Sequence, residues 1–305
     1  MVTVVCVPDP DAVQLLGDLP EGVEVVVWNG EPDHPDRLGE TTFWVPQVED
    51  SRDLERKLAA MPELKVMQLL SAGVEDVIGK IPDGVQLCDA RGVHGGPVSE
   101  LVLTMILGVF RRLPTFVRAQ ERGAWEDAQG EDLVDKQVLI VGAGDLGEQT
   151  AKRLVGFGAK PVLVAHSARD GVHATSELPD LLPHADVVVL TVPLTPDTEG
   201  MVDAAFLAAM PDRALLVNVA RGKVVDTDAL LAEVTSGRLR AALDVVEPEP
   251  LPEGHPLWSV EDVLITPHAA GNVKESGPRA YALVRAQLER FVKGEDLENV
   301  VTGQY

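Results

Sequence analysis

The sequence predicts an α/β protein of two domains, at least one of them a doubly wound parallel sheet. Three observations lead there. The chain has 305 residues, 45% hydrophobic and 25% charged, an ordinary globular composition with enough length for two cores rather than one. Two series of short β-branched runs alternate with helical patterns, the alternation from which parallel sheets are built. Runs in the second series are apolar at consecutive positions, as strands covered on both faces must be.

The first series reads TVVCV (3–7), VEVVVW (23–28), LKVMQLL (64–70) and VQLC (85–88), separated by turns rich in Pro, Gly and Asp. Next, PVSELVLTMILGVFRRL (97–113) is apolar nearly all round. That predicts a helix buried between two layers and bridging two domains, with Pro97 or Ser99 at its start. The second series is QVLIV (137–141), PVLVA (161–165), DVVVL (186–190), ALLVNV (214–219), AALDVV (241–246) and DVLIT (262–266). A final pattern, RAYALVRAQLERFVKG (279–294), has helical spacing and a glycine stop. No internal repeat or low-complexity linker interrupts the series.

A formal net charge of -23 repels polyanions, so neither nucleic acid nor an anionic membrane surface is expected as a partner. An anionic substrate would have to be caught by a local cluster of donors. The opening MVTVVCVPDP has no basic leader before its apolar run. The longest near-continuous apolar stretch, Leu101 to Phe110, is broken by Thr104 and Gly108 and is too short to span a bilayer. Cys6 and Cys88 are the two cysteines; with no CxxC and no His/Cys cluster, neither a disulfide framework nor a metal site is predicted. These features together suit a reducing cytoplasm.

Chemistry enters at residue 142. Strand QVLIV runs directly into Gly142-Ala143-Gly144-Asp145-Leu146-Gly147 and then the helical EQTAKRL. In that context Gly142 permits a tight turn, Gly144 lets backbone approach a pyrophosphate, Gly147 allows close helix packing, and the helix N-terminus attracts the anion. A nicotinamide dinucleotide is the expected cofactor. The tip of the next strand, where an acidic residue would hold the adenosine ribose of NAD, reads Ala165-His166-Ser167-Ala168-Arg169-Asp170. This favours NADP, with Ser167 and Arg169 beside His166 at the 2′-phosphate; Asp170, on a different loop path, keeps NAD open. Farther on, LITPHAAG (264–271) carries a single histidine, His268, which by itself reads as a packing residue.

Seven segments in order then resemble the D-isomer-specific 2-hydroxyacid dehydrogenases: LLSAGVEDV (69–77), VSELVL (98–103), GAGDLG (142–147), TVPLTPDTEGMV (191–202), NVARGKVVDTDAL (218–230), ALDVVEPEPLP (242–252) and HPLWSVEDVLITPHAAG (255–271). The resemblance implies a Rossmann cofactor domain over residues 98–272. It also implies a second, flavodoxin-like α/β substrate domain from residues 1–97 and 273–305, a cleft between the two, and a homodimer. By the same similarity the catalytic set is Arg221, Glu249 and His268. The trio makes physical sense for reducing a 2-oxo acid. His268 would give the proton, Glu249 would hydrogen-bond the other ring nitrogen and favour the protonated ring, and Arg221 offers a planar fork for the carboxylate.

The resemblance further assigns the backbone N–H groups of Ala72, Gly73 and Val74 to the substrate carboxylate, together with Arg221 and His268. Cofactor contacts are implied at Val192, Pro193, Thr198, Val219, Ala220, His268 and Gly271, and at Asp244 for the nicotinamide carboxamide. Two departures stand out. Val98-Ser99-Glu100 replaces the family's usual VAE, and DARGVHGG (89–96) replaces a version containing asparagine, leaving roles for Asp89 and His94 open. Phe43 or Trp44 in TTFWVP (41–46) is a candidate selector of substrate size. Two other functions fit the scaffold: a phosphite or formate dehydrogenase, and a dinucleotide-sensing, corepressor-like binding protein. The formate branch typically carries an amide where this chain has Glu249.

Overall fold

The computed structural model describes residues 2–47 and 53–302. The chain divides into two compact units, Met1–His94 with Val273–Tyr305, and Gly95–Asn272. In chain order the first contributes β1 (Thr3–Val7), α1 (Pro10–Leu16), β2 (Val23–Val27), β3 (Thr41–Trp44), α2 (Leu54–Ala59), β4 (Val66–Gln68) and β5 (Gln86–Cys88). The second holds α3 (Gly95–Phe110), α4 (Leu113–Glu121), β6 (Gln137–Val141), α5 (Asp145–Gly156), β7 (Lys160–Ala165), β8 (Val172–Ala174), α6 (Leu178–Leu181), β9 (Val187–Leu190), α7 (Ala204–Ala209), β10 (Leu215–Asn218), α8 (Thr227–Thr235), β11 (Arg240–Leu243) and β12 (Val263–Ile265). The chain returns to the first unit as α9 (Ser276–Lys293), which ends where Gly294 takes φ 70°.

The first unit is a parallel sheet in the order β2-β1-β3-β4-β5, the flavodoxin-like arrangement. Alternation along each strand sorts its side chains into two cores. Val4, Cys6, Trp44, Met67 and Leu87 face α2, and Val5, Val7, Phe43, Val66 and Cys88 face α1 and α9. Asp9 starts α1 by accepting a hydrogen bond from the Ala12 N–H, and Pro10 opens the helix. The TTFW stretch is thus the central strand of this sheet, an element the sequence reading did not foresee. Phe43 and Trp44, 0% and 1% exposed, are sealed in opposite cores. Neither can act as a substrate selector, because β-strand alternation turns both aromatic rings inward.

The second unit is a seven-stranded parallel sheet ordered β12-β11-β10-β9-β6-β7-β8. Its central strands are buried on both faces. Val138, Ile140, Val187, Val189, Leu215 and Val217 pack with α3 and α5, while Leu139, Val141, Val188, Leu190 and Leu216 pack with α6, α7 and α8. Each such side chain contributes about 1.5–3 kcal/mol relative to an exposed one. The strand order reverses between β6 and β9, the place where doubly wound sheets open a crevice at their carboxyl ends.

Three expectations about the long apolar helix need correction. It starts at Gly95, and Ser99 sits inside it, its buried hydroxyl donating to the Gly96 carbonyl at 2.7 Å rather than capping the start. It stops at Phe110 because Arg112 adopts φ 56°, a left-handed conformation that breaks the pattern before α4. It also belongs wholly to the second unit. Among the described residues, no helix is long and apolar enough to cross a membrane.

Candidate active site

At the sheet's reversal, β6 delivers the chain to Gly142. Its φ of 117° excludes ordinary side chains, and a Cβ there would lie 2.6 Å from the Thr191 carbonyl carbon. A Cβ on Gly147 would run into the Gly142 carbonyl oxygen. Gly144 is the opposite case, with nothing within 4 Å of where its Cβ would stand. Thr191, just past β9, ties the turn down by donating from its hydroxyl to the Gly142 carbonyl at 2.8 Å.

Gly144 precedes α5 and no side chain caps that helix. Its opening N–H groups and its dipole therefore face the space beside Gly144, which is what a pyrophosphate requires. The cradle fits a dinucleotide, and Asp145 and Leu146 form the first turn of the helix beneath it. Asp145 itself turns its carboxylate onto Gly95.

At the tip of β7, His166 and Ser167 are exposed. The Arg169 guanidinium folds back over the glycine turn, donating to the Ala143 carbonyl at 2.6 Å, with Glu148 at 3.7 Å. Arg169 and Val172 exchange backbone hydrogen bonds, so exposed Asp170 occupies the tight turn between them. After β9, Val192 and Pro193 lead into a closed loop in which the Thr198 hydroxyl donates to the Pro193 carbonyl at 2.6 Å and accepts from the Thr195 N–H at 2.8 Å.

Arg221, Glu249 and His268 all leave the carboxyl ends of neighbouring strands β10, β11 and β12. Asn218 shapes the Arg221 turn, accepting from the Ala220 N–H and donating to the Arg221 carbonyl, both at 3.0 Å. Val219 and Ala220, buried at 7% and 4% exposure, offer only backbone there. A Cβ on Gly222 would strike the Val246 carbonyl, so this glycine lets the Arg221 turn lie against the segment leading to Glu249. Thr227 adds a hydroxyl bond to the Glu247 carbonyl at 2.8 Å.

His268 Nδ1 lies 2.7 Å from Glu249 Oε1, with the two side chains 50% and 39% exposed. With Nδ1–H donating to the carboxylate, Nε2 is the ring edge left for chemistry. The backbone at His268 has φ 51°, unfavourable for this residue and kept only where surroundings over-determine it. Asp244 is what over-determines it. Only 2% exposed, its carboxylate accepts from the Thr266 hydroxyl at 2.5 Å and from the N–H groups of Ala269 and Ala270 at 2.8 and 3.0 Å. Its carbonyl accepts from the His268 N–H at 2.8 Å. Oδ1 takes two of these donors and Oδ2 one, so room remains for another donor. Gly271 follows, partly exposed.

The first unit carries the other candidates. Ser71 donates to the Gly73 carbonyl at 3.0 Å and accepts through its own carbonyl from the Ala90 N–H, which shapes the Ala72-Gly73-Val74 turn after β4. His94 Nε2 lies 2.8 Å from the Leu70 carbonyl, while its Nδ1 is buried with no hydrogen-bond partner among the described residues. Asp89 is fully buried; burial pushes its carboxyl above the usual carboxylate range despite the N–H and guanidinium of Arg91. Sequence reasoning passed over Thr191, Asn218, Gly222 and Thr266, although all four lie inside the quoted motifs. Their signal is positional, a polar or glycine residue at a strand's carboxyl end.

Residues 103–270 match the family described as D-isomer specific 2-hydroxyacid dehydrogenase, NAD binding domain. A D-3-phosphoglycerate dehydrogenase of Methanocaldococcus jannaschii is 31% identical over 315 residues, covering 97% of this chain. The chain spans only 59% of that relative's length. A glyoxylate reductase of Thermofilum pendens is 34% identical over 253 residues, covering 77% of this chain and 74% of that enzyme. Among solved structures, a D-isomer specific 2-hydroxyacid dehydrogenase from Xanthobacter autotrophicus Py2 in complex with NADPH and MES superposes with a TM-score of 0.84 at 30% identity, covering 99% and 98% of the two chains.

Proposed function

The chain belongs to the D-isomer-specific 2-hydroxyacid dehydrogenase family, and from that premise we propose that it moves a hydride between NADP(H) or NAD(H) and a small 2-hydroxy or 2-oxo acid. The observation that carries this reading is the His268–Glu249 pair, 2.7 Å apart on a turn fastened by Asp244, in the same sheet as an open dinucleotide cradle. The dinucleotide, when bound, supplies the hydride for reduction or takes it up in oxidation.

His268 Nε2 delivers a proton to the carbonyl oxygen of the 2-oxo acid and, in the reverse direction, takes it from the hydroxyl. Glu249 holds Nδ1 protonated and the ring oriented, so that the tautomer presented to substrate is fixed. Arg221 grips the carboxylate with two parallel N–H bonds and polarises the adjacent carbonyl. The substrate class is a small 2-oxo acid of the glyoxylate or hydroxypyruvate kind.

NADP is the preferred cofactor in this reading. No carboxylate stands at His166 or Ser167, and Arg169 is already folded against the glycine turn, near where a 2′-phosphate would need a cation. The Xanthobacter relative's NADPH is consistent with it. The working form is a homodimer, for which exposed Leu113, Val117 and the wholly exposed Trp125 of the second unit offer apolar surface; sedimentation at micromolar concentration tests that.

The decisive assay is oxidation of NADPH and of NADH with glyoxylate, hydroxypyruvate and pyruvate. Turnover with at least one, and a higher kcat/KM for NADPH, is expected. Turnover confined to phosphite or formate, or tight cofactor binding with no turnover of any acid, would contradict the proposal.

A further inference from the structure

The phosphate cradle contains an acid. Asp145 is the first residue of α5, so its carboxylate springs from the very turn whose N–H groups face an anion, where a second negative charge opposes binding. In the structure that carboxylate is turned aside. It lies on Gly95, the first residue of the sixteen-residue helix α3. A Cβ built on Gly95 would collide with Asp145 Oδ2, stand 2.7 Å from its Cγ and 3.0 Å from Oδ1. Asp145 Oδ2 is buried and has no hydrogen-bond partner among the described residues. No specific donor therefore holds it there, only the missing side chain at 95 and the positive end of α3.

Gly95 has an ordinary negative φ, since it is not among the glycines with left-handed backbone. Backbone freedom is thus not the reason for a glycine at this position. Space is. Any side chain at 95 evicts the carboxylate, and because the Cα of Asp145 sits in the first turn of α5, its remaining rotamers keep it beside that turn's N–H groups.

We infer that Gly95 is a positioning residue for the cofactor: it makes the berth in which the Asp145 carboxylate is parked on the N-terminus of α3, clear of the pyrophosphate. The inference rests on the dinucleotide reading of the glycine turn. It assigns Gly95 no contact with the cofactor and makes its effect on affinity pass entirely through the charge of Asp145.

Equilibrium titration of the full chain with NADPH and NADH, followed by ligand fluorescence, tests this without reference to turnover. Gly95→Ala should raise Kd about tenfold or more, as expected when a unit charge moves a few ångström towards an anion in a partly screened site, and added salt should shrink the difference. Asp145→Asn should lower Kd, and Gly95→Ala with Asp145→Asn should return it to the wild-type value or below, although the amide is as bulky as the acid. Equal weakening in the single Gly95 variant and this double variant would overturn the inference, because packing alone would then explain the loss. Should Gly95→Ala fail to fold, Asp145→Glu and Asp145→Gln decide: both outgrow the berth, and only the charged one should bind cofactor more weakly. Equal affinities in that pair would also overturn it. Wild-type protein that binds no dinucleotide would remove the cofactor reading itself, a result distinct from wild-type binding that the variants leave unaltered.

Discussion

The turn after β6 and the turn after β12 are held in opposite ways. Around Gly142 to Gly147 the geometry depends on side chains that are missing: a methyl group at 142 or 147 would meet backbone, whereas at 144 it would stand in open space. Around His268 the geometry depends on a side chain that is present. Asp244, buried and accepting three hydrogen bonds from Thr266, Ala269 and Ala270, secures a histidine in a left-handed conformation. A ligand-binding loop can thus be specified by subtraction or by anchorage. The first leaves a pattern in the local sequence and the second does not.

Perturbing each turn should therefore fail in a different way. The largest effect is expected at Gly147→Ala, where a methyl group meets the Gly142 carbonyl. Loss of about 3 kcal/mol or more of stability is predicted, at the upper end of overpacking costs, and urea denaturation measures it. Asp244→Asn should cost about 2 kcal/mol, because an amide cannot accept all the donors that now converge on the carboxylate. Its kcat should fall roughly 10- to 100-fold, as expected when a proton donor is misplaced. Stability and cofactor affinity both lost, with kcat at saturation intact, would erase the contrast between the two turns. Gly144→Ala should leave the free energy of unfolding within about 1 kcal/mol of wild type, in line with a helix-boundary glycine. It should still weaken cofactor binding, since open space there serves the ligand rather than the fold.

The smallest effect concerns the cysteines of the first unit. Burial pushes the thiols of Cys6 and Cys88 up from 9.0 to about 12. Their folded-state values are raised, so between about pH 9 and 12 the unfolded chain has released protons that the folded chain retains. Stability is accordingly full below that window and falls as pH rises through it. Native protein at pH 9 should resist iodoacetamide and become labelled only on unfolding; rapid labelling of the native state would contradict the burial argument.

Much of the fold was legible because strands buried on both faces write continuous apolar runs. QVLIV appears as β6 residue for residue, and the runs for β7, β9 and β10 differ only at their ends. Strand β3 was missed because TTFW is short and its aromatic pair suggests a pocket, whereas pairing with β1 and β4 turns both rings into cores. Strand β8, Val172-His173-Ala174, is three residues long, too short for its apolar-polar alternation to stand out. The break at Arg112 was hidden because a left-handed arginine carries no mark in composition.

In the candidate site, glycine spacing announced the cradle because at Gly142 and Gly147 only glycine avoids a clash with backbone. Arg221 and Glu249 drew notice only through resemblance to a family, and His268, visible by itself, read as a packing residue until that resemblance was drawn. What Asp244 and Gly95 do is set by partners distant in the chain, and local pattern is silent about such pairings.

Single-turnover oxidation of pre-bound NADPH by glyoxylate, compared between wild type and His268→Gln, bears most directly on the central claim. If imidazole at 268, oriented by Glu249, is the proton donor, the variant should bind NADPH as wild type does and transfer hydride roughly 10²- to 10⁴-fold more slowly. Hydride transfer at the wild-type rate in His268→Gln would show that the proton comes from elsewhere and that the His268–Glu249 pair is structural.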